Sequence, residues 1–337
     1  MAFSSIPDRG CRRRFLGVLA ACALGTTRVS FGNGTEMIWT PLRNGGREYL
    51  PLDQVGAFYR LGALRRAGRG FELGSGGAGL RGELESREFW ISRIKFLLSY
   101  PVIEVAGILC ISRLDLVKLV EPVLRPGRIE GAASVDTVVL DPGHGGEDRG
   151  AVGMYGDEKQ YTLDVAFRAA QILSRAGYRV VLTRSKDEFV SLEERTRIAN
   201  RCVHALFVSI HFNSGGNGTG VETYALSPPG VPSMSQEGVR VSEALIYPGN
   251  VRDAENSALA TAAHAALVAN LGLLDRGVKR ARFQVIRETV LPGVLLESGF
   301  LSCLEDARKI ASPWFRQQIA GSLLQAVQNY GRAVQSG

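Results

Sequence analysis

The chain has 337 residues, of which 45% are hydrophobic and 22% are charged, and its formal net charge is +7. This length and composition fit one large globular domain or two of ordinary size, and they exclude collagen, a coiled coil and general disorder. The positive charge favours an anionic partner, such as nucleic acid, an acidic membrane surface or a polyanionic wall. Because neither a basic helix nor an aromatic stacking platform is evident in the sequence, we expect no nucleic-acid partner.

Residues 1–30 are interpreted as an export signal. Arg12-Arg13-Arg14 precede an apolar stretch, Phe15 to Gly25, that is too short to span a bilayer. Their order resembles a twin-arginine signal, and a Sec-type signal with a chance basic cluster is the alternative. Leu19-Ala20-Ala21-Cys22 resembles a lipoprotein cleavage site, which would place a lipid on Cys22. We therefore expect a periplasmic or cell-envelope protein that contacts a membrane only if Cys22 is lipidated.

Residues 36–125 are interpreted as a small α+β scaffold or targeting domain. The stretches YLPLDQVGAFYRLG and ILCISRLDLVKLVEPVL share one pattern, in which a short strand precedes an apolar-periodic helix. Each helix is expected to open near an aspartate, Asp53 or Asp115. This half loosely resembles the stalk domain, related to the amine-oxidase N-terminal domain, that precedes many bacterial cell-wall enzymes.

Pro126-Gly127 begin a linker placed at residues 126–136, and residues 137–332 are interpreted as a second domain. In this domain strands alternate with helices. The predicted strands are TVVLD, YRVVLTR, ALFVSIHFN, GVETYAL, FQVIRE and GVLLESGF, and the predicted helices are YTLDVAFRAAQILSRAG, LEERTRIANR and ENSALATAAHAALVANLG. The alternation predicts an α/β fold, with a twisted, mostly parallel sheet and helices on both faces. Ligands of such sheets bind at the carboxyl ends of the strands.

Two of the four histidines stand at such strand ends. His144 follows the strand VVLD, and His211 closes the strand LFVSI. Two imidazoles and a carboxylate form a plausible zinc triad that leaves a fourth position for water. Four acidic residues are within reach, and the residues alone do not choose among them: Glu147, Asp148, Asp157 and Glu158. The remaining histidines, His204 and His264, are expected to be structural or surface residues.

Glu297 lies in the apolar strand GVLLESGF, where a lone carboxylate is costly unless it is paired or bound to a metal. We interpret it as a general base. The alternative is a structural carboxylate bonded to the backbone or to Arg287.

Three cysteines follow the signal: Cys110, Cys202 and Cys303. Their odd number and wide spacing predict buried thiols rather than a disulfide framework or a metal site. The sequence contains no GxSxG, and no cysteine stands in an activating context, so a nucleophilic hydrolase is not predicted.

Four stretches occur in the order VVLDPGHGGEDRGAVG, DEKQYTLDVA, LFVSIHFNS and RGVKRARFQVIRETVLPGVLLESGFLS. Together they resemble the zinc-dependent N-acetylmuramoyl-L-alanine amidases, over about residues 137–330. The resemblance implies one Zn²⁺ per catalytic domain, with His144, Glu158 and His211 as ligands and Glu297 as the catalytic glutamate. It implies an exported hydrolase that cuts the lactyl–L-alanine amide bond of peptidoglycan, in wall remodelling or daughter-cell separation.

The resemblance also guides predictions around the site. Arg287 is a candidate for holding a stem-peptide carboxylate, with an ion pair to a neighbouring acid such as Glu288 as the alternative, and Asn213 is a second predicted substrate contact. Phe212 stands where the family usually has a small residue, and we expect it to narrow the cleft.

Residues 227–254 form a long connection, which we interpret as a substrate-shaping flap. An autoinhibitory helix around Val239 to Ile246, displaced by an activator protein, is the alternative. The expected partners are thus peptidoglycan and an activator, and we expect a monomer.

Two other functions use the same residues. A zinc peptidase or deacetylase acting on peptidoglycan would need the same ligands, and the order of the motifs argues against it. A catalytically silent wall-binding protein is the other alternative, and the presence of Glu297 and both histidines argues against that.

Overall fold

The computed structural model describes residues 27–31, 35–75, 78–132, 134–234 and 243–336. Cys22 and most of the predicted export signal lie outside these residues. Among the helices of the described residues, none is long and apolar enough to cross a membrane.

The N-terminal half is built mainly from antiparallel strands. Its strands are β1 (Thr27–Phe31), β2 (Thr35–Trp39), β3 (Leu42–Asn44), β4 (Arg47–Pro51), β5 (Leu64–Ala67), β6 (Gly70–Ser75), β7 (Ala78–Glu83), β8 (Glu88–Ile91), β9 (Ile94–Leu97), β10 (Ile103–Val105) and β11 (Ile108–Ser112). Its helices are α1 (Leu52–Phe58), α2 (Arg113–Asp115) and α3 (Glu121–Leu124), with a π-helical turn (Leu116–Val120) joining the last two and a 3₁₀ turn (Pro126–Arg128) after them. Strands β5 to β9 form a meander, and β10, β11, β4 and β3 form a second sheet. The two predicted strand–helix units are confirmed as β4–α1 and β11–α2.

The C-terminal half alternates strands and helices. Its strands are β12 (Thr137–Pro142), β13 (Val152–Gly153), β14 (Gly156–Asp157), β15 (Arg179–Leu182), β16 (Ala205–Asn213), β17 (Val221–Leu226), β18 (Asp275–Ala281) and β19 (Gly293–Phe300). Its helices are α4 (Glu158–Arg175), α5 (Leu192–Ala199), α6 (Asp253–Leu271), α7 (Gln284–Arg287), α8 (Leu304–Ala311) and α9 (Pro313–Gln335), with a 3₁₀ turn (Pro248–Arg252) before α6.

The main sheet has the strand order β15-β12-β16-β19-β17-β18 and then continues into the meander through β9. Strands β15, β12, β16 and β19 are parallel, whereas β17 runs antiparallel to β19. We call the edge at which β12, β16 and β19 end the carboxyl edge, and the opposite one the amino edge. The predicted fold class, a twisted and mostly parallel sheet flanked by helices behind a small N-terminal domain, is confirmed.

The two halves share one hydrophobic core. Phe96 of β9 pairs with Val278 of β18, and both belong to the same cluster of buried side chains as Leu296 of β19. Helices α4, α6 and α9 pack together on this face of the main sheet, while α5 and α7 pack together on the other. A buried guanidinium adds a polar link, because Arg280 donates to the carbonyl oxygen of Lys118 at 2.6 Å.

One predicted strand is wrong. The segment FQVIRE contains the short helix α7, and the strand of this region is β18, with the sequence DRGVKRA. Charged residues conceal this strand in the sequence. They are tolerated because other elements neutralise them: Lys279 pairs with Glu222 at 2.6 Å, and Arg280 lies 3.9 Å from Asp115.

Candidate metal centre and active site

His144 occupies a tight turn just beyond the end of β12. Its φ of 62° is left-handed, a conformation that is costly for a residue with a side chain. The guanidinium of Arg195 holds the turn by donating to the carbonyl oxygen of His144 at 2.7 Å. Gly143 is required here, because a Cβ at this position would lie 2.3 Å from the ring of His211. The turn therefore brings the backbone that precedes His144 into close contact with the imidazole ring of His211.

Glu158 is the first residue of α4, and its side chain is only 3% exposed. One carboxylate oxygen accepts hydrogen bonds from the backbone N–H of Phe212 at 3.0 Å, and the other from that of Ala151 at 2.8 Å. The same oxygens lie 2.9 Å from Nδ1 of His211 and 3.1 Å from Nε2 of His144. Glu158 is thus fixed between the two histidines.

His144, Glu158 and His211 form a group that can bind a metal ion, since one donor atom from each lies within 4.8 Å of the others. The two imidazole rings are 4.9 Å apart and nearly perpendicular. Two imidazoles with one carboxylate suit zinc and leave a coordination position open. Burial opposes ionisation of Glu158, but its contacts with the two histidines outweigh burial, so its pKa lies well below the usual range. The site therefore presents a carboxylate, the charged form that a cation requires.

The other acidic residues near His144 have different surroundings. Asp148 accepts from Nδ1 of His144 at 2.8 Å, which leaves Nε2 directed at Glu158. A carboxylate on the far nitrogen of a metal-binding histidine orients the ring and raises its basicity. Asp157 forms a two-pronged ion pair with Arg149, and Glu147 is exposed. Geometry thus selects Glu158 among the four acids, a choice that the residues alone left open.

Glu297 lies beside this cluster on β19. Its Cα pairs with that of His211 on one side and with that of Glu222 on the other. The side chain is partly exposed at the carboxyl edge, between strands that are otherwise buried. The fold therefore brings together the three predicted ligands and the predicted general base, although their roles remain predictions.

Glu222 was missed in the sequence, although it carries the same signal as Glu297, a lone acid in an apolar strand. It is 2% exposed and accepts from the Tyr224 hydroxyl and from Lys279, each at 2.6 Å. Arg276 forms a further ion pair with it. Burial alone would raise the pKa of Glu222, but these donors hold it below its usual value. A buried carboxylate with two cations thus stands next to Glu297.

Two buried arginines that support the site were also missed. Arg184 donates to the carbonyl oxygens of Pro142 and Gly143, each at 2.9 Å, and to that of Lys159 at 2.8 Å. It therefore ties the His144 turn to the start of α4, and burial lowers its pKa to about 10. Arg195 pairs with the buried carboxylate of Asp141 at 2.8 Å. An arginine within a predicted strand end or helix gives no sign of burial in the sequence, because its partners come from distant segments.

The predicted substrate contacts lie in different places. Asn213 donates to Glu222 at 3.3 Å, beside Glu297. Arg287 instead pairs with Glu288 at 2.9 Å and stacks on the ring of Tyr247, which is the alternative considered for it. Both assignments as substrate contacts remain predictions.

The expectation that Phe212 narrows the cleft is wrong. Its side chain is 1% exposed and packs edge-on against Tyr161 of α4, because alternation along β16 turns it away from His211.

The other singled-out side chains lie in the core or at the surface, and His204 is exposed. His264 is fully buried between Thr223 at 3.0 Å and Asp275 at 2.8 Å, and His204 precedes β16 with a φ of 52°. The three cysteines are free thiols, and Cys110 is buried while Cys202 and Cys303 are partly so.

The connection after β17 leaves from the amino edge, because β17 runs against β19. Its described parts stay there: Met234 donates to the carbonyl oxygen of Arg280, and Arg282 donates to that of Pro228. The flap interpretation is therefore not supported by residues 227–234 and 243–254. Much of the alternative helix, around Val239 to Ile246, lies outside the described residues.

Comparison with known proteins bears on this arrangement. Residues 138–329 match the Amidase_3 family, N-acetylmuramoyl-L-alanine amidase. The sporulation-specific N-acetylmuramoyl-L-alanine amidase of Bacillus subtilis (strain 168) is 35% identical over 185 residues, which cover 54% of this chain and 63% of the relative. The amidase LytC of the same organism is 34% identical over 199 residues, covering 58% of this chain and 36% of the relative.

A solved structure is also similar. The catalytic domain of CwlV, an N-acetylmuramoyl-L-alanine amidase from Bacillus (Paenibacillus) polymyxa var. colistinus, is 33% identical, and the match covers 58% of this chain and 98% of that chain with a TM-score of 0.48. The chain spans less than two thirds of the length of the two Bacillus subtilis relatives. The family match nevertheless covers more than half of the chain and contains the metal-binding group and Glu297. The chain therefore belongs to the Amidase_3 family of N-acetylmuramoyl-L-alanine amidases.

Proposed function

We propose that this protein is an exported, zinc-dependent N-acetylmuramoyl-L-alanine amidase that hydrolyses the lactyl–L-alanine amide bond of peptidoglycan. The observation that carries the proposal is that donor atoms of His144, Glu158 and His211 lie within 4.8 Å of one another. Glu297 lies next to this group, because it pairs with His211 on the neighbouring strand. Membership of the amidase family supports this substrate over other amides.

His144, Glu158 and His211 would hold the zinc ion. When bound, zinc supplies a Lewis acid for the amide carbonyl and lowers the pKa of water. Asp148 keeps the His144 ring in one orientation through its 2.8 Å contact with Nδ1. Glu297 accepts a proton from the attacking water and returns it to the departing alanine nitrogen. The Glu222 cluster holds the neighbouring strand in place, and Asn213 at its rim is a proposed contact to the substrate.

The amidase proposal is tested by digesting purified sacculi. The parent should release new N-terminal alanine on intact stem peptides, and Glu297→Gln should reduce this release by about 10²- to 10⁴-fold, the usual value of a general base. Glu305→Gln, the same change at an exposed position of α8, serves as the control and should keep the parental rate.

Other products would assign another function. Cleavage within the stem peptide would indicate a peptidase, and release of acetate a deacetylase. Binding of sacculi without any product, by both parent and Glu297→Gln, would indicate a silent wall-binding protein.

Zinc dependence is tested independently of turnover. A metal that binds only the folded state raises the unfolding temperature. Zinc added to the chelator-treated parent should raise it, and His211→Ala should abolish this shift while leaving the metal-free protein folded. An equal shift in His211→Ala, or no zinc bound by the parent after reconstitution, would contradict the zinc site.

We further propose that the protein acts in the cell envelope, in wall remodelling or daughter-cell separation, and that its N-terminal half is a scaffold or targeting domain. Fusing residues 1–30 to a reporter and replacing Arg12-Arg13 with lysines tests the export signal. Export that persists unchanged points to a Sec-type signal, and labelling with a radioactive fatty acid tests lipidation of Cys22. An activator protein remains a proposed partner.

A further inference from the structure

Five side chains form a cross-strand row over the β5–β9 meander. The paired residues are Arg65 with Glu72, Glu72 with Arg81, Arg81 with Trp90, and Trp90 with Lys95. Residues directly opposite each other on neighbouring strands project from the same face of a sheet. We call the face that carries this row the meander face.

The meander face is open to solvent. Its residues Glu72 and Arg81 are exposed and Trp90 is partly buried, whereas the intervening residues Leu80 and Phe89 are fully buried in the core. A hollow of about 670 Å³ lies on it, beside the indole of Trp90. Its lining includes Arg65, Glu72, Arg81 and Trp90 of the row, together with Phe71 and Gly70. Charged side chains, two aromatic residues and small residues thus border one shallow site.

The strand register connects this face to the catalytic residues. Phe96 of the meander pairs with Val278, Val278 with Thr223, and Thr223 with Leu296. All four residues therefore lie on the core face of a single continuous sheet. Their sequence neighbours project from the opposite face, because successive side chains alternate along a strand.

Glu222 and Glu297 are such neighbours, so they share a face with Trp90. The order of strands places Trp90 four strands from Glu297, or about 19 Å at the usual strand spacing. Lys279 and Lys95 lie on β18 and β9, two of the three intervening strands, and each neutralises an acid on this same face. Sheet twist turns the surface progressively along this path, so a bound polymer would curve around it.

The chemistry of the row suits a polymer of sugars that bears carboxylates. The Arg81 guanidinium lies 4.8 Å from the centre of the Trp90 ring and forms no ion pair among the described residues. It can therefore donate hydrogen bonds to a carboxylate of the ligand while it stays over the ring. Lys95 lies 5.6 Å from the same ring. An indole offers a flat apolar surface with a polar edge, which a sugar ring can contact. The net charge of +7 favours an anionic polymer over a neutral one.

We propose that the meander face binds the glycan strand of peptidoglycan, with Trp90 contacting sugar rings and Arg81 binding a stem-peptide carboxylate. This inference rests on the proposed function, because it assigns a second contact to the same substrate. It predicts that the polymer occupies the meander face and the carboxyl edge at once.

The test measures cosedimentation of the full-length chain with purified sacculi, in the Glu297→Gln background so that hydrolysis plays no part. Trp90→Leu and Arg81→Gln should each weaken binding about five- to tenfold. The control is Arg332→Gln, which removes the same charge at an exposed position of α9. This helix packs on the core face of the sheet, away from the meander face, so the variant should bind like the parent. Unfolding temperatures of all variants verify that each is folded.

Sacculi whose carboxylates have been chemically amidated separate the two contacts. On them Arg81→Gln should bind as well as the parent, whereas Trp90→Leu should still bind more weakly. Unchanged binding of both variants, or equal weakening by Arg332→Gln, would overturn the proposal. So would loss of binding to phosphatidylglycerol vesicles by Arg81→Gln with sacculus binding intact, which would assign the face to a membrane. Since no product is measured, failure of the amidase reaction would leave these results interpretable.

Discussion

At the scale of single residues, the contact between His144 and Asp148 determines which ring nitrogen can face a metal. Asp148→Ala removes this contact, and loss of such a carboxylate typically lowers metal affinity by about 10- to 100-fold. We expect that decrease in a zinc competition assay against a chromogenic chelator. Glu147→Ala, which removes an exposed acid one position earlier, is the control and should retain the parental affinity. Equal affinity of the two variants would assign Asp148 a surface role.

Gly150 is a second glycine, after Gly143, at which the backbone closely approaches the predicted ligands. Its φ is +64°, and a Cβ there would lie 2.6 Å from both Glu158 Oε2 and a His144 ring carbon. Gly150→Ala should therefore displace both side chains and reduce zinc content. Gly68→Ala is the control, because Gly68 has a similar φ of +58° but no atom lies within 4 Å of the added Cβ.

The control carries only the left-handed backbone cost of about 1–2 kcal/mol. We expect Gly150→Ala to lower the free energy of unfolding, measured by urea denaturation, by more than this cost. We also expect it to bind less zinc than the parent. Equal losses, with zinc retained, would show that the close approach is relieved without harm to the site.

At the scale of elements, the end of β12 depends on a buried ion pair between Asp141 and Arg195, both at most 2% exposed. Burial raises the pKa of Asp141, but Arg195 together with the Thr183 and Ser209 hydroxyls lowers it further, so the net pKa lies below its usual value. The unfolded chain then binds the proton more tightly than the folded one. This stabilisation is complete above about pH 4 and is lost as pH falls through the folded pKa.

Asp141→Asn tests this dependence in urea denaturation across pH. At neutral pH the variant should be less stable by about 3–5 kcal/mol, because Arg195 stays buried without its anion. Its stability should also fall less steeply than that of the parent below pH 4. Parallel curves for the two proteins would place the acid sensitivity elsewhere.

At the scale of the whole molecule, one sheet and one core join the two halves, so we expect them to unfold together. Phe96 is fully buried where β9 meets β18, and Phe96→Ala should cost about 3–5 kcal/mol. Hydrogen exchange should quicken in β18 as well as in the meander. Ile108→Ala, at a side chain that is 41% exposed, is the control and should change little. Two separate transitions, with only one shifted by Phe96→Ala, would contradict a shared core.

Local patterns predicted much of this molecule. Periodicity and caps placed β12, β16, β19 and α4 to α6, because these signals depend on neighbouring residues only. The rest depended on distant partners. In the sequence, only a family resemblance distinguished Glu158 from Asp148 and Asp157 as the predicted ligand. In the structure, its proximity to both histidines does so. The strand β18 was hidden because Glu222 and Lys118 satisfy its charges from elsewhere.

The direction of a strand is also invisible in its sequence, because parallel and antiparallel neighbours show the same alternation. The length of residues 227–254 predicted a flap over the site, whereas the antiparallel pairing of Glu222 with Glu297 places the described parts of this connection at the amino edge.

The reversal of β17 has a consequence for how such a chain can diversify. It separates the loops into two groups: those after β12, β16 and β19 border the catalytic residues, and the described parts of the long connection after β17, residues 227–234 and 243–254, lie at the opposite edge. Insertions and deletions are tolerated best in surface loops that carry no function. The chain can thus change the length of these described parts, or acquire a tether to other envelope components there, without rebuilding the catalytic surface.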